Sequence, residues 1–208
     1  MQQGKEKKRI IIGSCYVYVS EFTGKVDAIA EIIKTVCVEE KRLGYIKGGA
    51  AAEYKPTFYT AKDDMGLVSK STITDEEALV KSGIMTIGPD MLNILTATGR
   101  VSDITDENTK KGYKLLKIGG IANNNGKSYV LVFHHEDKVD GDIYLIIVGK
   151  NEAGFTIQFQ KDKETVVDAE FKCLAQDDEG TLISYVEEVV SSGEEEAEST
   201  SGEEEAEG

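Results

Sequence analysis

Two runs decide the fold: Ser128-Tyr129-Val130-Leu131-Val132-Phe133-His134, and Asp142-Ile143-Tyr144-Leu145-Ile146-Ile147-Val148. Both are nearly continuous in apolar residues and rich in β-branched and aromatic side chains. Runs this short suit strands better than buried helices, and unbroken apolarity implies burial on both faces. Downstream, Val167, Ala169, Phe171 and Cys173 alternate with Asp168, Glu170 and Lys172, the pattern of a strand with one face in and one face out. Between them, Phe155, Ile157 and Phe159 alternate with Thr156, Gln158 and Gln160 and predict a further strand. Residues 176–180 read as a turn and 181–190 as a last strand-like segment.

Working upstream, residues 9–20 form a strand candidate, closed by a turn at Phe22-Thr23-Gly24-Lys25. Residues 26–39 carry two signals: Val26, Ile29, Ile32 and Ile33 recur at helical spacing, while 32–38 is β-branched. The reading favours an irregular start and then a strand through Cys37. Residues 43–54 hold Gly44, Gly48, Gly49 and three alanines, which in a strand mark a bend, a bulge or close backbone approach. Residues 54–61 read as a strand, Asp63-Asp64-Met65-Gly66 as a turn and 67–73 as the next strand. Thr74-Asp75-Glu76-Glu77 matches a helix capping box, but 78–83 follows neither period, so helix and strand both stay open there.

Gly88-Pro89 opens the clearest helix. Proline suits the first helical position; Met91, Leu92, Ile94 and Leu95 supply an apolar face, and Gly99 a C-cap after about three turns. Tyr113 and Leu115 begin a strand within 110–117, and Asn123-Asn124-Asn125-Gly126 is a turn. Many strands, one good helix and short connections predict a mainly β fold, a sandwich or barrel with one flanking α-helix.

The chain has 208 residues and a net charge of −14. Eight glutamates fall between 194 and 207 with no basic residue among them, and the remainder carries −6. Ser192-Gly-Glu-Glu-Glu-Ala-Glu198 recurs at 201–207, a repeat that buries nothing and repels itself. The expected organisation is a flexible arm over 1–8, a β domain over 9–190 and a disordered acidic tail over 191–208. An acidic chain is a poor wrapper of nucleic acid, because phosphate neutralisation needs clustered Lys and Arg. No apolar run reaches the roughly 18–20 residues a membrane helix needs. Lys5, Lys7, Lys8 and Arg9 precede only three apolar residues before Gly13, whereas a signal core needs about 7–15, so that stretch reads as the approach to a strand.

Candidate chemistry is sparse. Cys15, Cys37 and Cys173 show no CxxC spacing, and their number is odd; they read as thiols buried in apolar strand-like runs. His134 and His135 are adjacent and on a strand point to opposite faces, which prevents joint metal ligation. Asp63-Asp64 and Asp177-Asp178 lack the spacing of a calcium loop and read as turn acids. Lys110, Lys111, Lys114 and Lys117 form a small basic group that reads as a solvated face. No nucleophile elbow, phosphate loop, dinucleotide fingerprint or zinc-protease motif is present, and the expectation is a non-enzymatic protein without cofactor or metal.

Leu43-Gly44-Tyr45-Ile46-Lys47-Gly48-Gly49-Ala50-Ala51-Ala52-Glu53-Tyr54 resembles the small-residue strand of the tail tube (major tail) proteins of long-tailed bacteriophages. Tyr59-Thr60-Ala61-Lys62-Asp63-Asp64-Met65-Gly66-Leu67-Val68-Ser69-Lys70 follows at similar spacing. Ala169-Glu170-Phe171-Lys172-Cys173-Leu174-Ala175 with Gly180-Thr181-Leu182 resembles their final strand, so the likeness spans about 9–190 in order and spacing. The resemblance implies a structural virion protein made in the host bacterial cytoplasm. It implies hexameric rings formed by sheet extension and stacked into a tube through long loops and terminal arms. It further implies a tape measure protein in the lumen, tail-tip and terminator proteins at the ends, and viral DNA passing through without specific binding. On this likeness Gly44, Tyr45, Gly48, Gly49, Tyr54, Tyr59, Asp63 and Gly66 are the expected inter-subunit residues. The tube of a contractile tail or tailocin shares that fold, and a monomeric β-sandwich binding module is the reading from another class.

Overall fold

The computed structural model describes residues 10–26 and 28–190, so the expected N-terminal arm and acidic tail lie outside the described residues. The chain is mainly β. The two central apolar runs are β7 (Tyr129–His135) and β8 (Ile143–Asn151), paired antiparallel as neighbours, with β1 (Tyr16–Glu21) on the far side of β7. Beyond β1 lies the short β2 (Arg42–Gly44). On its other side β8 divides. Its first half pairs with β10 (Ile183–Glu187), and its second half, Val148–Asn151, pairs with β9 (Val167–Leu174). From β9 the sheet continues to β4 (Ser69–Ile84) and ends at β3 (Ile46–Lys62).

This division at β8 folds the sheet into two layers. Val17, Leu131, Phe133 and Ile147 on one side meet Ala78, Val80, Val167, Ala169 and Phe171 on the other, forming one core cluster with Met91 and Leu95. The alternation read in 167–173 is the observed one, with Val167, Ala169, Phe171 and Cys173 buried. The opposite face of β1, β7 and β8 carries a second cluster: Tyr18, Val130, Val132, Ile146 and Val148 packed under Ile32 and Val36. The double-sided burial of β7 and β8 is the reason their runs are unbroken.

Ile32 and Val36 belong to α1 (Ile29–Val36), which corrects the expected strand through Cys37. Positions i and i+4 fall on one helical face, and burying that face outweighs the weak β preference of the branched residues. The fold therefore has two flanking helices, not one. The second, α2 (Pro89–Ile94), starts at the expected proline but is six residues long. Gly99 is not its cap, since the helix closes at Leu95, whose N–H reaches Met91 O. A Cβ at Gly99 would press on the Asn93 side-chain amide, which would have to move aside.

Two more expectations change, and one open stretch resolves as strand. The first strand begins at Tyr16 rather than residue 9. Residues 155–160 form no strand: Phe155 and Ile157 pack on the core, but the Asn151 side-chain amide holds Gly154 O and Leu95 O, and only an isolated Gln160–Lys163 bridge forms. Thr74-Asp75-Glu76-Glu77 lies inside β4, because the long partner β3 supplies its backbone bonds opposite Pro56, Thr57 and Lys55. A separate two-stranded sheet joins β5 (Arg100–Thr105) to β6 (Gly112–Lys117), in line with the strand expected around Tyr113.

A projecting hairpin as candidate assembly site

β3 and β4 have 17 and 16 residues, far longer than the strands beside them. Only Leu79–Ile84 of β4 pairs with β9, so the outer part of the hairpin pairs with itself alone. At about 3.4 Å per residue it stands roughly 30 Å clear of the sandwich. Every residue from 57 to 77 is exposed.

The root of the hairpin is a bulge. The register jumps from Lys47↔Gly83 to Ala50↔Ser82, and Gly48 and Gly49 fill the gap with φ of 82° and 78°. Such angles clash for any residue with a Cβ, so the glycine pair is there for the backbone conformation. Nothing lies within 4 Å of where a Cβ would sit on either. Gly44 differs: a Cβ there would lie 3.0 Å from Ile84 Cγ2, so its small size serves packing inside the chain. Tyr45 is exposed between β2 and β3, with the Arg42 guanidinium 5.3 Å from its ring centre.

Beyond the root the two faces differ in chemistry. Tyr54, Phe58 and Thr60 share the face that continues from the buried Val80 and Ala78, and their partners across the ladder include Ile73 and Ser71. Tyr54 Oη donates to Glu76 Oε2 at 2.7 Å, which raises the phenol's pKa, and Phe58 faces Ile73 directly. The other face carries Glu53, Lys55, Tyr59, Asp75 and Glu77. Lys55 bonds Glu53 at 2.8 Å, holding that carboxyl below the usual range, while Lys172 on β9 reaches Glu77 at 3.3 Å. Lys47, next to the bulge, pairs with Glu164.

At the tip, Asp63 Oδ1 accepts the Val68 N–H at 2.7 Å and Asp63 O accepts the Gly66 N–H at 3.0 Å, with Gly66 at φ 70°. The expected turn is therefore present, and Asp63 is its fastening. Met65, Leu67 and Val68 point outward, at 81%, 79% and 70% exposure. All eight residues singled out in the sequence thus sit on one continuous stretch, but Tyr54 and Tyr59 fall on opposite faces. Phe58, Ile73 and the three apolar tip residues, which were not among the expected contact residues, lie on the same stretch.

Elsewhere several polar side chains bond within the fold. His134 Nε2 bonds Asp142 Oδ2 at 2.8 Å and stacks on Tyr144, while His135 on the opposite face holds Ser14 O. Asp142 also accepts the Asp137 N–H, and these bonds hold its carboxyl below the usual range against the desolvation that raises it. Asp177 accepts from the Glu179 and Thr181 amides, the turn role expected of it. Of the expected buried thiols, Cys173 is buried and Cys15 and Cys37 half-buried; burial pushes each up to about 11. In the basic group, Lys114 pairs with Asp90 and the other three lysines are exposed. Among the described residues no group of His, Cys, Asp and Glu is arranged to hold a metal, and no helix is long and apolar enough to cross a membrane.

No protein-family model matches the chain, and no curated protein matches it in sequence.

Proposed function

We propose that this protein is the tail tube subunit of a long-tailed bacteriophage. Copies join into hexameric rings that stack into a hollow tube, and viral DNA leaves through the lumen at ejection. A tape measure protein occupies the lumen beforehand, tail-tip and terminator proteins close the ends, and the protein resides in the virion tail after synthesis in the host cytoplasm. The observation that carries this reading is the hairpin of β3 and β4. Its outer part, residues 53–77, contributes no residue to either core cluster, the outer edge of β3 has no partner strand among the described residues, and the hairpin displays an apolar stripe. Open edges invite pairing with another chain, and a closed ring removes them. Phage likeness itself rests on the sequence resemblance of residues 43–70 and 169–182. A contractile-tail tube would differ by binding a sheath protein.

A shortened variant tests the role of the hairpin. Removing residues 56–76 and joining Lys55 to Glu77 through Asn-Gly, a favoured two-residue hairpin turn, leaves the core clusters untouched. The variant folds with the wild-type melting curve and remains monomeric at concentrations where the full chain assembles. Assembly by the shortened chain would remove the basis of the proposal.

A further inference from the structure

Among the described strands, two pairs of cations stand directly opposite each other: Lys150↔Lys172 between β8 and β9, and Arg100↔Lys117 between β5 and β6. Like charges so placed repel. The first pair is compensated on both members, Lys150 by Glu152 at 2.9 Å and Lys172 by Glu77 at 3.3 Å. No ion pair with a described residue serves the second. Lys117 is exposed, and the Arg100 guanidinium gives one bond, from Nη2 to Gly119 O at 3.4 Å.

The acids of the same small sheet do not compensate it. Opposed residues share a face of the ladder, so Arg100 and Lys117 stand with Leu115, Ile104 and Tyr113. Asp103 and Lys114 occupy the other face, which lies against α2 and where Lys114 pairs with Asp90. Asp106 is engaged in the turn: its carboxylate takes the Thr109 hydroxyl at 2.7 Å and the Asn108 N–H at 2.8 Å. Glu107 lies in that turn with the exposed Lys110 and Lys111, at the end of the ladder away from the pair.

The glutamates that follow β10 carry the missing charge, and reach decides between them. Glu203, Glu204 and Glu205 repeat Glu194, Glu195 and Glu196 nine residues on. Val190 lies ahead of β8, its Cγ2 atom 2.9 Å from where a Gly141 Cβ would sit. The Arg100–Lys117 pair sits beyond the other end of β8: the Asn151 amide holds Leu95 O, and Thr98 Oγ1 accepts the Gly119 N–H. The strand between, Ile143–Asn151, spans about 27 Å. Fully extended from Val190, the first triplet reaches about 14–20 Å and the second about 44–51 Å. We infer that Glu203, Glu204 and Glu205 dock on the Arg100–Lys117 pair of the same chain, folding the acidic segment back along the sandwich. Arg100 takes a carboxylate through paired N–H groups and Lys117 takes another as a point charge. Tethering gives the segment an effective concentration in the millimolar range, which a free anion would have to match. Both cations are exposed, so salt screens the contact. It uses no part of the β3–β4 hairpin and does not depend on assembly.

Carbodiimide cross-linking of the dilute full-length chain joins a carboxylate to an amine in contact with it, and peptide mass spectrometry reads which. An equal mixture of light- and heavy-isotope chains separates links within a chain from links between chains. The comparison is Lys138, an exposed lysine near Gly141 and so close to Val190, which undirected proximity would favour. At low ionic strength the expected product joins Lys117 to Glu203, Glu204 or Glu205 within one chain, at on the order of tenfold the yield of their links to Lys138. Sodium chloride at about 1 M, where the Debye length is about 3 Å, removes the excess. Arg100→Gln leaves every cross-linkable group in place and lowers the Lys117 yield about threefold, the loss of one exposed ion pair. A Lys117 yield no higher than that of Lys138, or one unchanged in Arg100→Gln, overturns the docking. Products joining a light chain to a heavy one would seat the segment of a second copy on the pair and overturn docking within one chain, as would links from Lys117 to Glu194, Glu195 or Glu196.

Discussion

Replacing Phe58 by Ser separates assembly from folding. Phe58 is 58% exposed on the apolar face of the hairpin. An aromatic side chain offers about 200 Å² for burial, so roughly 115 Å² remains to be covered by a neighbour. At about 25 cal/mol per Å² that is close to 3 kcal/mol per contact, or on the order of 100-fold in the association constant. The cost to the isolated chain is smaller. Phe58 belongs to neither core cluster and loses only its cross-strand pairing with Ile73, about 0.2–1 kcal/mol. Sedimentation velocity over a concentration series reads the first quantity, and a circular-dichroism melt the second. Assembly that begins at about 100-fold higher concentration, with a melt close to wild type, is the expected result. Assembly at the wild-type concentration would mean that no neighbour covers the stripe.

The other predictions concern the body and the hairpin root. Phe171→Ala removes the largest fully buried side chain of the inter-layer core and costs about 3–5 kcal/mol by denaturant unfolding. Gly48→Ala and Gly49→Ala each cost about 1–2 kcal/mol in the same assay through positive φ alone, since neither Cβ meets a neighbour. Asp142, whose folded carboxyl lies below its unfolded value, contributes stability that is present above about pH 4 and lost as pH falls through the folded pKa. Asp142→Asn therefore lowers stability at pH 7 by about 1–3 kcal/mol and flattens its decline as the pH falls below about 4, measured by urea midpoints over the acid range.

The layered β body was legible because β7, β8 and β9 state their burial in their patterns: unbroken where both faces are covered, alternating where one is. The stretch 26–38 was misread because its residues are β-branched, and only the second core cluster decides that Ile32 and Val36 lie on one helical face. Residues 155–160 have the alternation of a strand, but only Phe155 and Ile157 pack on the core, Phe159 is exposed, and only an isolated bridge forms. Local pattern cannot reveal a missing partner. The hairpin was half visible: the glycine bulge and the Asp63 turn were readable, while the strand through Thr74-Asp75-Glu76-Glu77 depends on a partner more than fifteen residues away.

The proposed tube is built from copies of this chain. Negative-stain electron microscopy of the purified full-length protein over a rising concentration series would reveal it. The expected images show stacked rings or tubes of uniform diameter with a stain-filled lumen. Single particles that remain monomeric at the highest concentration, even with tail-tip proteins supplied, would contradict it and favour a β-sandwich that binds its partners alone.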